Sequence, residues 1–409
     1  PRPRPRVRVP LLAALRAAGT AHLYADTADP AELAGLLGAA DGAIPEELDG
    51  NTVNQPLVRR VAARYLEAAD PAAWARQLAR PGGARPRGEL LPLLYTLLCA
   101  RIGHDFLRQF GHGRPWEVSL QLHMALGADP AAATRVARDL HRMVPQALVK
   151  VPFTPHAPHA FIVARDLERE GIPVNFTSTF SARQVAAAAL LADVTRTNVF
   201  MGRINEGLAA ELLGEEVTLA AQRTLLALRR EAGVKTRLIV ASLRDWRTFV
   251  RAAGCDVFTA PCPVLGQFLA QREVGPEAIA SRLETSYDGE LRLGAAAAER
   301  LGAERIARLY RVEPELLEFL RRYRASGEWA ALRDGDRLAR RFEEAGFGDL
   351  FYAPGAAEWA ELRRGKLPDL ASPLTGRLAL DTLYSLLADA DFEQAQGAID
   401  QELARRAGL

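Results

Sequence analysis

Lysine is nearly absent from this chain of 409 residues: only Lys150, Lys235 and Lys366 stand among 52 basic side chains. Arginine serves wherever positive charge alone is needed, so each remaining lysine raises a chemical question. An arginine stays protonated and is no amine nucleophile, whereas a lysine with a lowered pKa is one. Cysteine is equally scarce. Cys99, Cys255 and Cys262 are too few and too scattered for a disulfide framework or a zinc site, and no metal is expected. Long apolar runs are missing as well. The best, Leu90 to Ala100, falls short of the roughly 18 residues of a membrane span, contains Pro92 and reads as a buried helix. A formal net charge of +2 leaves no electrostatic footprint for nucleic acid. Neither a nucleic acid nor a membrane is therefore an expected partner. The start carries no charged-then-apolar signal segment, which with reduced thiols suggests a cytoplasmic protein.

What is present alternates. Short β-branched runs at His22–Ala25, Leu48–Val53, Trp116–Leu122, Ala147–Val151, Val174–Ser178, Asn198–Met201, Arg237–Ala241 and Asp256–Ala260 are separated by helical patterns. Eight parallel strands with intervening helices predict an α/β protein, a (β/α)8 TIM barrel. An open doubly wound sheet is the alternative, but no G-x-G-x-x-G follows the first strand. Helix starts are marked by Asp-Pro-Ala at 29–31, 70–72 and 129–131, with Asp as N-cap and Pro where its missing N–H costs nothing. Glu32, three residues after Asp29, has capping-box spacing. The barrel is assigned to residues 20–270. A helical insertion at about 57–115, broken by RPGGARPRG, follows strand two, and a helical extension over 271–409 is expected to pack on the barrel. The basic, proline-rich opening, residues 1–19, is read as a solvated, disordered tail.

Active sites of such barrels lie at the C-terminal ends of the strands. Lys150 sits in the apolar strand Ala147-Leu-Val-Lys-Val-Pro152; facing inward it would be desolvated and its amine pushed toward neutrality, as an imine-forming lysine requires. Asp26 ends strand one and, unlike Asp29, has no capping duty. Asn54, Gln121, Asn175, Thr177, Asn198 and Ser242 end strands or begin the loops after them, and together predict a hydrogen-bonding pocket. Arg203 and Arg244 follow strands six and seven, where a bound phosphate commonly lies.

Tyr24-Ala-Asp-Thr-Ala-Asp-Pro30, Thr52-Val-Asn-Gln-Pro-Leu57, Val149-Lys-Val-Pro-Phe-Thr154, Val174-Asn-Phe-Thr-Ser-Thr-Phe-Ser181, Phe200-Met-Gly-Arg203 and Ala241-Ser-Leu-Arg244 resemble, in order, the strand-end motifs of transaldolases. The resemblance covers roughly residues 20 to 270. It implies a Schiff base on Lys150 and acid/base work by Asp26. Asn54 and Asn175 would hold donor hydroxyls, Thr177 would position water, and Arg203, Arg244 and Ser242 would bind sugar phosphate. It implies a transferase of carbohydrate metabolism, of the pentose phosphate pathway type, with sugar phosphate substrates, no cofactor and a possible homo-oligomer. Two positions depart from the pattern. Gln121 stands where transaldolases usually have glutamate, as in fructose-6-phosphate aldolases, which carry tyrosine where this chain has Phe200; Asn198 replaces a usual serine. An aldolase releasing free dihydroxyacetone, and a non-catalytic sugar-phosphate-binding protein, are therefore the alternative expectations.

Overall fold

The structure, a computed structural model, describes residues 6–38, 44–78, 87–111 and 115–409. Eight strands form a closed parallel barrel: β1 His22–Asp26, β2 Leu48–Thr52, β3 Glu117–Gln121, β4 Ala147–Pro152, β5 Val174–Thr177, β6 Arg196–Phe200, β7 Arg237–Ala241 and β8 Val257–Ala260. Each pairs with its sequence neighbours, and β8 closes on β1. All eight expected strands are present, and the fold is a (β/α)8 barrel. The sixth begins at Arg196 rather than Asn198, and Met201 already opens the helix Met201–Leu208. The strands bury apolar side chains such as Leu148, Val149, Val174, Val199, Val240 and Val257, together with polar ones that pair among themselves: Thr52 with Thr259, Asn175 with Ser119 and Asn198 with Thr177.

The three Asp-Pro-Ala starts behave as their chemistry requires. Asp29, Asp70 and Asp129 each accept a backbone N–H of the following helix, at 2.9, 2.8 and 2.9 Å. The capping box at Glu32 does not form. The Asp29 N–H donates instead to Thr27 Oγ1 (3.0 Å), whose own hydroxyl donates to Glu32. A competing hydroxyl two residues upstream has taken both places.

The opening segment departs from the expected tail. Arg6–Val7 pairs with Ile44–Pro45, and Pro10–Ala17 is a helix that buries Leu12 and Leu15. Arg16 is ion-paired with Asp49, and Glu47 accepts the Val9 N–H. The apolar spacing behind the Pro/Arg repeat outweighs its composition. Residues 1–5, and most of the expected RPGGARPRG break, lie outside the described residues.

The apolar run starting at Leu90 extends to Phe110. By length and composition alone this helix is long enough to cross a membrane, but 61% of its most apolar window is buried inside the protein. It packs against the barrel at β3 and against the helices Gln55–Glu67, Pro71–Leu78 and Pro130–Met143.

The last helix, Leu380–Ala407, is buried without interruption from Leu380 to Ala390 and packs against Gln55–Glu67, Pro71–Leu78 and Leu90–Phe110. The insertion and the extension, which share no sequence likeness, thus meet. The helix crosses the C-terminal ends of the strands. Arg183, after β5, donates to Asp381 through Nε and Nη2, both at 2.8 Å, and the pair is almost wholly buried. Ser385 donates to the Ser178 carbonyl (2.7 Å), Tyr384 to the Ile204 carbonyl (3.1 Å), and His123 meets Asp400 at 3.0 Å.

Removing one member of a buried ion pair strands the other without water. Arg183→Met is expected to lower stability by about 3–5 kcal/mol in equilibrium urea unfolding. A loss below about 1 kcal/mol would show that apolar contacts alone seat the helix.

Candidate active site

At the C-terminal ends of the strands lies a cavity of about 460 Å³. Lys150 is at its base, 4% exposed. In strand register Lys150 stands beside Gln121 of β3 and Asn175 of β5, so the three side chains project from one level of the barrel. Burial pushes the Lys150 amine down to about 8, and the nearby Asp26 carboxylate only partly offsets this. Asp26, half-buried on the same wall, accepts the Thr52 hydroxyl at 2.7 Å, and Thr52 shares a further hydrogen bond with Thr259 at 2.6 Å. Burial raises the Asp26 carboxyl; Lys150 and the Thr52 hydrogen bond oppose the rise. A carboxyl drawn toward keeping its proton and an amine drawn toward losing one now share a cavity. That pairing is the equipment of proton transfer next to a nucleophilic amine.

The other expected residues are brought to this end of the barrel but in different layers. Asn54, Asn175, Asn198, Phe200, Arg203, Ser242 and Arg244 line the cavity. Thr177 and Gln121 are fully buried and do not line it. Asn198 Nδ2 donates to Thr177 Oγ1 at 2.7 Å, which fixes that hydroxyl behind the wall. Asn175 donates to Ser119 (2.8 Å), leaving its Oδ1 without a hydrogen-bond partner among the described residues. Gln121 makes one weak contact with Met124 Sδ at 3.6 Å, and its Oε1 is likewise unpartnered. Asn54 caps the helix Gln55–Glu67 by accepting the Leu57 N–H at 3.1 Å, so part of its capacity is structural.

The two arginines are not waiting free. Arg203 Nη2 donates to Asp391 at 2.8 Å, and Arg244 donates to Glu206 at 2.9 Å. Arg203 is reached through the motif Phe200-Met-Gly-Arg203, where a side chain at Gly202 would run into the Ser242 carbonyl. Ser242 itself has φ +65°, a left-handed conformation that turns the chain off β7 and presents the residue to the cavity.

The lining residues not assigned to the site from the sequence include Glu32, Arg60, Lys366, Asp391 and Phe392. Arg60 was detectable, being one turn into the helix that Asn54 caps. Lys366 stood out by residue type, but nothing local placed it. Asp391 and Phe392 arrive on the last helix, and no spacing rule announces them.

A closed (β/α)8 barrel thus places a buried lysine and a carboxylate in one cavity at the C-terminal ends of its strands. The transaldolase/fructose-6-phosphate aldolase family model matches residues 23–307, and the chain belongs to that family. It is 31% identical over 183 residues to a transaldolase of Prochlorococcus marinus, covering 42% of this chain and 52% of that protein. It is 32% identical over 133 residues to a probable transaldolase of Caldicellulosiruptor saccharolyticus, covering 32% and 57%. With a probable transaldolase of Dictyostelium discoideum the identity is 30% over 184 residues, covering 42% and 55%. The chain spans little more than half the length of these curated relatives.

Since Asp26 holds the Lys150 proton on, Asp26→Asn is expected to move the Lys150 midpoint below about 8. The check is the pH dependence of Lys150 labelling by a small ketone and borohydride, read by peptide mass spectrometry. Labelling should rise with pH and level off above about 8. A midpoint that stays put or climbs in the variant would break the electrostatic link between the two groups.

Proposed function

We propose that the protein is a transaldolase-like enzyme that moves a dihydroxyacetone unit between sugar phosphates through a Schiff base on Lys150. The carrying observation is the desolvated amine at the base of the cavity, brought down to about 8 beside Asp26. The neutral amine adds to the ketose carbonyl and expels water, leaving an iminium. Asp26 takes the proton of the hydroxyl next to the bond being broken; that C–C bond cleaves, its electron pair enters the iminium as an enamine, and the aldose leaves. The enamine then attacks an acceptor aldehyde, and water releases the product. Asn54 and Asn175 hold donor hydroxyls; the idle Asn175 Oδ1 is suited to accept one. Thr177, fixed by Asn198, positions the water. Ser242 and the cationic side chains Arg244, Arg60 and Lys366 face the sugar phosphate, while Arg203, paired with Asp391, faces the uncharged part of the sugar.

One observation favours the aldolase alternative. Gln121 has no titratable carboxyl, so it cannot take a proton from water as a glutamate does, and it is the residue that fructose-6-phosphate aldolases carry there. Phe200 points the other way, having no hydroxyl with which to hold a hydrolytic water on the enamine side, and transfer is the stronger reading.

With fructose 6-phosphate or sedoheptulose 7-phosphate and borohydride, a reduced sugar-derived mass is expected on Lys150. An adduct on Lys235 or Lys366 in its place would sink the assignment. In turnover, free dihydroxyacetone should be scarce without an aldose phosphate acceptor, and Phe200→Tyr should increase its release. Rapid acceptor-independent release by the unaltered enzyme would establish an aldolase instead.

A further inference from the structure

The carboxylate on Arg203 comes from outside the family's part of the chain. The family match ends at residue 307, whereas Asp391 lies on the helix Leu380–Ala407. Phe392, beside it, meets Phe200 edge-to-face at 6.5 Å, and Phe200 in turn lies against the Arg203 guanidinium at 5.7 Å. Arg203 thus has one aromatic ring, itself backed by a second, and one carboxylate against it. Its Nε and Nη1 are shielded from solvent and have no hydrogen-bond partner among the described residues. Asp391 is more open, 28% exposed on its side chain, and lines the cavity. A ligand in the cavity therefore meets the carboxylate together with the guanidinium.

That arrangement has a chemical preference. A phosphate monoester is repelled by Asp391 and has to compete with it for Arg203. A sugar hydroxyl does neither, since it donates to a carboxylate and accepts from an arginine N–H. The helix holding Asp391 is tied down by the Arg183–Asp381 pair and by Tyr384 and Ser385, so the carboxylate is not cleared by a small shift of a loose segment.

We propose that Asp391 is a specificity-determining residue, which holds Arg203 in an internal ion pair and selects against a phosphate at that position in favour of an uncharged, hydroxyl-bearing group. The proposal rests on the Lys150 reading for its catalytic consequence, but the Arg203–Asp391 pair stands on geometry alone.

The test uses Asp391→Asn, with Asp391→Ser as a second variant should the first not fold, and Asp391→Glu to keep the charge. Binding of inorganic phosphate is measured by calorimetry, and kcat/KM is compared for fructose 6-phosphate and fructose. Removing the charge is expected to tighten phosphate binding, and to raise the preference for the phosphorylated ketose, by roughly tenfold or more. Asp391→Glu should stay near the starting ratio, and adding Arg203→Met to Asp391→Asn should cancel the gain. An unchanged or weakened phosphate affinity in both charge-removing variants would overturn the proposal. Failure to trap any adduct on Lys150 would count against the catalytic reading only, because the phosphate titration needs no turnover.

Discussion

The structure turns on keeping one amine dry. Holding Lys150 near 8 instead of 10.5 disfavours its protonated form by on the order of 3 kcal/mol. The sign follows from linkage. Between the folded value and the higher unfolded one, the unfolded chain binds more protons, so stability rises as pH climbs through that interval, and the penalty is fully present below about 8. A closed barrel supplies the burial, because every strand is paired on both edges and Lys150 is left only 4% exposed. An open sheet would leave an edge through which water could reach the amine. In the proposed reaction the same dryness is useful twice: it provides the neutral nucleophile, and it strengthens the attraction between the iminium charge and Asp26.

Dryness at the mouth comes from elements outside the repeating β/α units. The last helix lies across the strand ends and rests on the insertion that follows β2, so the two additions form one structure over the site. Four of the polar contacts that seat it, at Ser178, Arg183, Ile204 and Arg203, fall in the segments after β5 and β6. Ser178 is held at φ +67° while its carbonyl accepts Ser385, so the left-handed turn and the helix support each other. The cavity therefore has a wall written by the family's strands and a roof written by residues beyond them, and the second supplies Lys366, Asp391 and Phe392.

What the sequence revealed followed from the range of each interaction. The strands were legible because β-branched runs between helical patterns are local signals, and Lys150 was legible because an apolar strand defines its own solvent exposure. The placement of Asn54, Asn175, Asn198 and Ser242 at one end followed from topology alone. Composition misled at the amino-terminal end, where the Pro/Arg repeat hid the Leu12–Leu15 spacing of a packed helix. Glu32 had the right spacing for a capping box, yet Thr27 competed for both partners. The Arg203–Asp391 pair joins residues 188 apart, and knowing it requires the docking angle of a helix, which no pattern of either segment contains.

The three aspartates of that helix nearest the barrel show how its angle is set. Asp381 is buried, and although burial opposes ionisation, Arg183 prevails and lowers its carboxyl. Asp389 is equally buried, and that burial together with the neighbouring Glu393 carboxylate pushes it well above the usual carboxylate range; its oxygens have no hydrogen-bond partner among the described residues, and His156 comes no nearer than 3.7 Å. Asp391 keeps contact with the cavity and shares Arg203. A carboxyl without a hydrogen-bond partner does not fix the helix angle, whereas a bidentate arginine–carboxylate pair does. The register is thus specified at Asp381, nearly three turns before Asp391 at about 3.6 residues per turn. That spacing carries Asp391 round to Arg203 once the first pair is made. The ion pair that docks the helix and the one that conditions the substrate site are in this way the two ends of a single rigid element.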